Sequence, residues 1–147
     1  MKVLASGVFD LLHYGHIRFL EEAKKTGEPK AKLIVIIASD YTVTKLKGKP
    51  PVIPEDQRCA TVEALRVVDE ALVGYRDIDL EKVIETIKPD IIAVGHDQHD
   101  IEEEIKRLVE EKKFKIKIKR IGRFRKEDLT SSSMIKRRIV EGLEKTP

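Results

Sequence analysis

Apolar residues along the chain fall into short unbroken runs that alternate with longer stretches of helical spacing. Lys2–Ser6 is a short apolar strand, and Gly15–Lys25 carries Ile17, Leu20 and Ala23 at helical spacing. Lys32–Ala38 is a continuous β-branched run, as expected of a strand covered on both faces. Pro54–Arg66 reads as a helix opening on Pro54 and the acidic pair Glu55–Asp56. Glu70–Val73 reads as a strand, Leu80–Ile87 as a helix, and Asp90–Val94, after Pro89, as another buried strand. Ile101–Lys112 is a charged helix with Ile101, Ile105, Leu108 and Val109 on one face. Phe114–Ile118 alternates with Lys115, Lys117 and Lys119, which predicts a strand with one wet, basic face. Ser131–Leu143 forms the final helix.

Five strands alternating with helices predict an α/β fold with a parallel sheet flanked by helices on both sides. The chain shows no internal repeat, low-complexity tract or Ser/Gly linker, so residues 1–147 are read as a single domain. In such sheets ligands bind beyond the carboxyl ends of the strands, where strand order reverses. The loops after the first, fourth and fifth strands are therefore the places to look for chemistry.

Composition narrows the class. At 147 residues the chain can bury roughly two-thirds of its unfolded surface, so it needs no disulfide or structural metal. Hydrophobic residues at 41% and a net charge of only +3 exclude disorder. Cys59 is the single cysteine, leaving no disulfide framework and no cysteine-based zinc site. The longest apolar run, Leu33–Ala38, is too short to span a bilayer, and Met1–Ser6 lacks the apolar core of a signal peptide, so a cytoplasmic protein is expected. Asparagine is absent while charged residues reach 37%, a pattern of proteins from hot environments. From Lys113 onward twelve basic residues face four acidic ones, which implies an anionic partner.

The first loop reads Gly7-Val8-Phe9-Asp10-Leu11-Leu12-His13-Tyr14-Gly15-His16. Two histidines flank a glycine just before a helix, whose amino terminus favours phosphate. Imidazoles there can donate hydrogen bonds to phosphoryl oxygens as charge develops. Three other readings compete. As metal ligands, His13 and His16 have only His96 and His99 to complete a histidine site. As part of a nucleophilic triad, they have no Ser or Cys nearby in sequence. As structural histidines, they fit poorly with all four histidines lying in two strand-end loops. After the second strand, Lys45, Lys47 and Lys49 alternate in a segment with Gly48, Pro50 and Pro51, and Arg58 follows. This is either a solvated, mobile loop or a lysine lid that closes over phosphates. The spacing does not choose among the three lysines; Lys47 is favoured. After the fourth strand, Gly95-His96-Asp97-Gln98 places Asp97 to accept from ribose hydroxyls or a base amino group, or to help hold a divalent ion, with Asp100 as the cap of the following helix. Finally, Thr130-Ser131-Ser132-Ser133 at a helix start offers hydroxyls and N–H groups for phosphate, with Arg123 and Arg125 nearby; Ser131 or Ser132 as a plain cap is the simpler reading.

The first loop resembles the HxGH signature of the nucleotidyltransferase superfamily, with the preceding Gly-Val-Phe-Asp adding specificity and Val8 standing where the family usually has Thr. Thr130–Ser133 resembles that family's second signature, Ile-Ser-Ser-Thr before a final helix. Two signatures at opposite ends of the chain extend the resemblance over essentially its whole length. It implies a Rossmann-like, doubly wound five-stranded parallel sheet and transfer of a nucleotidyl group. An acceptor phosphate attacks the α-phosphorus of a nucleoside triphosphate, with pyrophosphate released and no covalent enzyme intermediate. It implies catalytic roles for His13, His16 and Lys47. Nucleotide contacts are implied at Val8, Phe9, His13, Tyr14, Gly15, His16, Asp97, Arg123, Ser131, Ser132 and Ser133. A divalent metal such as Mg²⁺ would accompany the nucleotide, with no dedicated metal site in the protein.

The spacing of Lys49–Arg58 and the Asp97-Gln98 pair are most similar to archaeal FAD synthases, implying ATP and FMN as substrates. The alternative is a CTP-dependent cytidylyltransferase acting on glycerol 3-phosphate or a related phospho-alcohol. Aromatic residues are only 5% of the chain, and Tyr14, Tyr41, Tyr75 and Phe124 are the rings available to an isoalloxazine. A nucleic-acid-binding role for the basic tail is disfavoured, because the tail lacks interleaved aromatics and would leave the histidine loops unexplained. The tail is read instead as the electrostatic surround of a triphosphate. The family suggests a homodimer, and no membrane partner is expected.

Overall fold

The computed structural model describes residues 1–76, 79–122 and 132–144. Its elements in chain order are β1 (Lys2–Gly7), α1 (Tyr14–Lys25), β2 (Lys32–Ile37), α2 (Asp40–Lys47), α3 (Glu55–Glu63), β3 (Glu70–Val73), α4 (Leu80–Ile87), β4 (Ile91–Gly95), α5 (His99–Lys112), β5 (Lys117–Ile121) and α6 (Ser132–Glu144). The strands form one sheet in the order β3-β2-β1-β4-β5, with every described pairing parallel. The chain builds outward from β1 to β3 on one side, then returns to add β4 and β5 on the other. The switch point therefore lies between β1 and β4. No described helix is long and apolar enough to cross a membrane.

The two-residue period of each strand divides the core into two layers. In β1 and β2, Val3, Ala5, Leu33, Val35 and Ile37 pack with Leu20 and Ala23 of α1 and Val62 of α3. The alternate residues Leu4 and Ile34 pack on the opposite face with Ile84 and Ile87 of α4 and Ile105 of α5. This is why the central strands read as unbroken apolar runs: both faces are covered. Each Val, Leu or Ile among them contributes roughly 1.5–3 kcal/mol by leaving water. Asp79 starts α4 by accepting the Lys82 N–H at 3.0 Å.

Three local expectations are corrected. The segment after β2, read as a flexible lysine loop, is helix α2 through Lys47. Ser39 caps it by accepting the Thr42 N–H at 3.1 Å, and Gly48 ends it with φ 76°. That left-handed conformation suits a residue without a Cβ. The last strand runs over Lys117–Ile121 rather than Phe114–Ile118. Its ladder starts where the Lys117 N–H reaches the Asp90 carbonyl at 3.0 Å. Two bonds from Arg120 to Glu102 on α5, at 2.9 and 2.6 Å, then hold its far end. The α5 cap is Gln98, not Asp100, which lies in the first turn.

Candidate active site

The chain leaves β1 at Gly7 and turns through two strained residues, Phe9 at φ 53° and Leu11 at φ 51°. A left-handed conformation at such residues costs of order 1 kcal/mol and persists only where the surroundings enforce it. Here the Phe9 side chain is buried, and its ring lies over Gly7, where a Cβ would come within 2.8 Å of the ring. The ring also meets His16, with centroids 5.2 Å apart at a 60° tilt. The strained turn thus delivers His13 to the cap position of α1 and His16 to the first turn.

The two imidazoles stack, with centroids 3.7 Å apart and planes 23° from parallel. The His16 Nδ1 accepts the backbone N–H of His13 at 3.2 Å, which leaves Nε2 to carry the proton. Burial pushes the His16 pKa down to about 3; the neighbouring His13 and Lys47 lower it further, while Asp10 opposes them. Burial also lowers His13. Both rings are therefore neutral hydrogen-bond donors at ordinary pH. Both ring nitrogens of His13 are buried without a partner, a costly state for polar atoms unless a ligand completes it.

Around this pair a cavity of about 580 Å³ opens at the carboxyl ends of β1 and β4, at the switch point. Val8, Phe9, His13, Gly15, His16, Lys47, Asp97, Ser132 and Ser133 all line it. The exposed Tyr14 does not, because the first residue of α1 turns its ring to solvent. Of the three lysines in question, Lys47 reaches the cavity lining and Lys45 and Lys49 do not. Arg123 and Ser131 lie outside the described residues, as do Phe124 and Arg125. Among the described residues no group of three or more His, Cys, Asp or Glu side chains is arranged to hold a metal ion. Lys117 pairs with the first residue of β4, so the basic start of β5 stands at the sheet end opposite the cavity. Lys136, from the same basic tail, instead lies 3.9 Å from Asp10 at the cavity, and Arg123, Arg125 and Lys126 lie outside the described residues.

Three residues that sequence reasoning left without a role build the frame. Arg58 is almost wholly buried and donates to the carbonyls of Ile53, Val8 and Ala38 at 2.8, 2.7 and 2.8 Å, and to Asp40 at 2.7 Å. Asp10 accepts the N–H groups of Val52 and Ile53 at 2.9 and 3.0 Å, lies 3.9 Å from the Lys136 ammonium, and offers its own carbonyl to the Ser132 hydroxyl. Gln98 accepts the Gly95 N–H at 2.8 Å and donates to the Ser6 carbonyl at 3.1 Å, clipping β4 to β1 where their tips diverge. The only signal for the first two was a charged residue amid apolar or loop positions, a weak one without the fold.

A family profile described as cytidylyltransferase-like matches residues 4–138. The chain belongs to this family. Similarity to individual members of the cytidylyltransferase-like family is equally extensive. A Ferroglobus placidus protein named FAD synthase is 47% identical over 140 residues, spanning 95% of this chain and 88% of its own. A Picrophilus torridus protein of the same name is 44% identical over 141 residues, 96% of this chain and 97% of its own. A Thermoplasma volcanium crystal structure, described as the lipopolysaccharide core biosynthesis protein, superposes with a TM-score of 0.76 at 39% identity, covering 85% of this chain and 98% of that one. The cytidylyltransferase-like match includes both the histidine loop and the start of α6, which meet across the cavity through the Ser132–Asp10 hydrogen bond.

Proposed function

We propose that this protein is an FMN adenylyltransferase, converting ATP and FMN to FAD and pyrophosphate. A phosphate oxygen of FMN attacks the α-phosphorus of ATP in line, the bond to the bridging β-phosphate oxygen breaks, and pyrophosphate leaves. The attacking oxygen becomes the bridge of the new dinucleotide. The observation that carries the reading is the buried, unpartnered His13 stacked on His16 at a helix amino terminus in the switch-point cavity. The choice of ATP and FMN rests on relatives named FAD synthase that match nearly the full chain.

Each group has a role that follows from its chemistry. The His16 Nε2–H, held in one tautomer by the His13 backbone, donates to an α-phosphoryl oxygen as charge accumulates there. His13 does the same from the cap position. Lys47 brings a point charge to the β- and γ-phosphates from the end of α2. Ser133 adds its hydroxyl, and Ser132 and Ser133 the free N–H groups of the first turn of α6, while the Ser132 hydroxyl is committed to the Asp10 carbonyl. The Val8 carbonyl is committed to Arg58, so Val8 contributes through its N–H. Arg123 and Ser131 remain part of the proposed nucleotide site. With no residue placed as a nucleophile, alignment and charge stabilisation supply the catalysis.

Magnesium fits as an ion carried in by the triphosphate, since it is usually held by one or two carboxylates and the phosphates themselves. Asp97 at the cavity rim is the residue to share it, and the ion would neutralise charge on the departing pyrophosphate. We take the protein to be cytoplasmic and homodimeric. The exposed Leu72 and Val73 on edge strand β3 support a partner copy, which sedimentation equilibrium would test. The decisive assay follows pyrophosphate and FAD from ATP, FMN and Mg²⁺, with CTP and glycerol 3-phosphate in parallel. FAD from the first pair alone supports the reading; turnover of the second pair alone overturns it.

A further inference from the structure

The pairing of β1 with β4 stops before either strand does. Its register runs from Val3 opposite Ile91 to Ala5 opposite Ala93 and goes no further. β1 nevertheless continues beside β2 until Gly7 faces Ile37, and β4 beside β5 until Gly95 faces Ile121. The last two residues of each central strand, Ser6 with Gly7 and Val94 with Gly95, are thus paired outward only. The cavity opens at this split, and Ser6, Gly7, Gly95 and Gln98 all line it.

The Gln98 side chain crosses the split. Gln98 stands at the cap position of α5, yet its side chain makes no capping bond there. It reaches back instead, accepting the Gly95 N–H at 2.8 Å through Oε1 and donating from Nε2 to the Ser6 carbonyl at 3.1 Å, 92 residues away. The Gln98 backbone N–H also donates to the Gly95 carbonyl at 3.1 Å, so the turn from Gly95 to Gln98 is closed on itself. A Cβ on Gly95 would come within 3.0 Å of the Asp97 Oδ1 and 3.4 Å of the Gln98 Oε1, so both side chains lie folded over the β4 tip. The carboxamide therefore joins the turn that carries Asp97 to the strand end that leads into the histidine loop. A side chain here must present a donor and an acceptor together, because Gly95 offers an N–H and Ser6 a carbonyl.

We infer that Gln98 is a positioning residue for the transfer step: its carboxamide sets the width of the split, and with it the spacing between His13 and His16 on one side and Asp97 on the other. This rests on the FMN adenylyltransferase reading and adds what keeps the two halves of that site in register. A misplacement of about 1 Å costs on the order of 10²-fold in rate, so a bond remote from the reacting atoms can govern turnover.

The test changes the bridge without changing its shape. Gln98→Glu keeps the acceptor for Gly95 but, when ionised, turns a second acceptor on the Ser6 carbonyl; when protonated it supplies the donor again. Gln98→Met removes both. Each is compared with the unaltered protein for kcat in FAD synthesis, for ATP affinity by calorimetry and for melting temperature, from about pH 8 down to about pH 5. Dividing by the unaltered protein at each pH cancels the titration of His13, His16, His96, Asp97 and Asp100, which all three proteins share. At about pH 8 both variants should lose about 10²-fold in kcat, with ATP affinity changed less than about two-fold. An ordinary glutamate is about one-sixth protonated at pH 5, so Gln98→Glu should regain about ten-fold of that loss there and Gln98→Met none. A loss of ATP affinity as large as that in kcat makes Gln98 a direct contact and overturns the positioning role. An unchanged kcat with a lowered melting temperature overturns it too, as does a Gln98→Glu profile as flat as that of Gln98→Met. Exchange of the Gly95 amide in the unaltered protein, read without substrates, needs no variant to fold: protection is expected, and fast exchange overturns the bridge. No FAD from the unaltered protein, with Gly95 protected, overturns the reaction and leaves the bridge standing.

Discussion

Replacing Arg58 with Met keeps an unbranched, apolar stem and removes every donor. Three carbonyls, of Val8, Ala38 and Ile53, then lose partners at 2.7–2.8 Å. A stranded buried acceptor costs about 1–3 kcal/mol, and such costs within one cluster do not simply add. The Asp40 carboxylate is 40% exposed, so water replaces much of that bond and it adds little. We expect a loss of about 4 kcal/mol, in line with the roughly 3–5 kcal/mol found when a buried ionic contact is opened. Against a total stability of about 5–15 kcal/mol that is a large fraction. For a chain of this length it lowers the melting temperature by about 12 °C. Urea unfolding at 25 °C, with the slope m checked for constancy, measures it. Arg58→Lys should recover less than half, because one ammonium cannot reproduce a planar fork reaching three carbonyls and a carboxylate. A loss below about 1 kcal/mol at unchanged m would refute the claim that Arg58 ties these segments together.

Three other outcomes are expected. His16→Ala should reduce turnover by about 10²–10³-fold or more with the melting curve nearly unchanged, and unaltered turnover would remove the mechanism. Because the folded pKa of His16 lies below that of an unfolded histidine, the unfolded chain binds the proton more readily between about pH 6.5 and 3. Its contribution is therefore present above that window and lost as pH falls through it, and His16→Gln should flatten the acid limb of a stability–pH profile. Ser132→Ala should cost about 1 kcal/mol of stability and weaken nucleotide binding several-fold in calorimetric titration, since the start of α6 then loses its tie to the Asp10 carbonyl.

The sheet was legible because both faces of its central strands are covered, which turns Leu33–Ile37 and Ile91–Val94 into unbroken apolar runs. The family was legible in the histidine loop and the serine cluster, where phosphate chemistry restricts residue choice. Helix α2 was missed because its only signals were Ser39 as a cap and Gly48 as a stop, around residues whose helical preference is weak. The last strand was displaced because the alternation of Phe114–Ile118 breaks at Arg120 while the ladder runs on to Ile121, and only pairing with β4 decides which part joins it. Arg58 and Asp10 could not be ranked from sequence at all. Most of their partners lie far along the chain, and nothing local distinguishes them from the many other charges of this chain.

Asp10 couples two parts of the cavity wall. Helix α6 has no buried residue of its own, yet its Ser132 and Lys136 meet the same residue that holds the amides of Val52 and Ile53. One buried carboxylate with its adjoining carbonyl thus serves as a common mooring for two walls that are distant in sequence. Loosening one wall frees a share of the mooring and weakens the other, so the two should yield together. The amide protons of Val52 and Ile53 are then reporters of what happens at α6. Their exchange with solvent should slow when a nucleotide binds the first-turn N–H groups of α6 and holds that helix in place, although neither amide touches it.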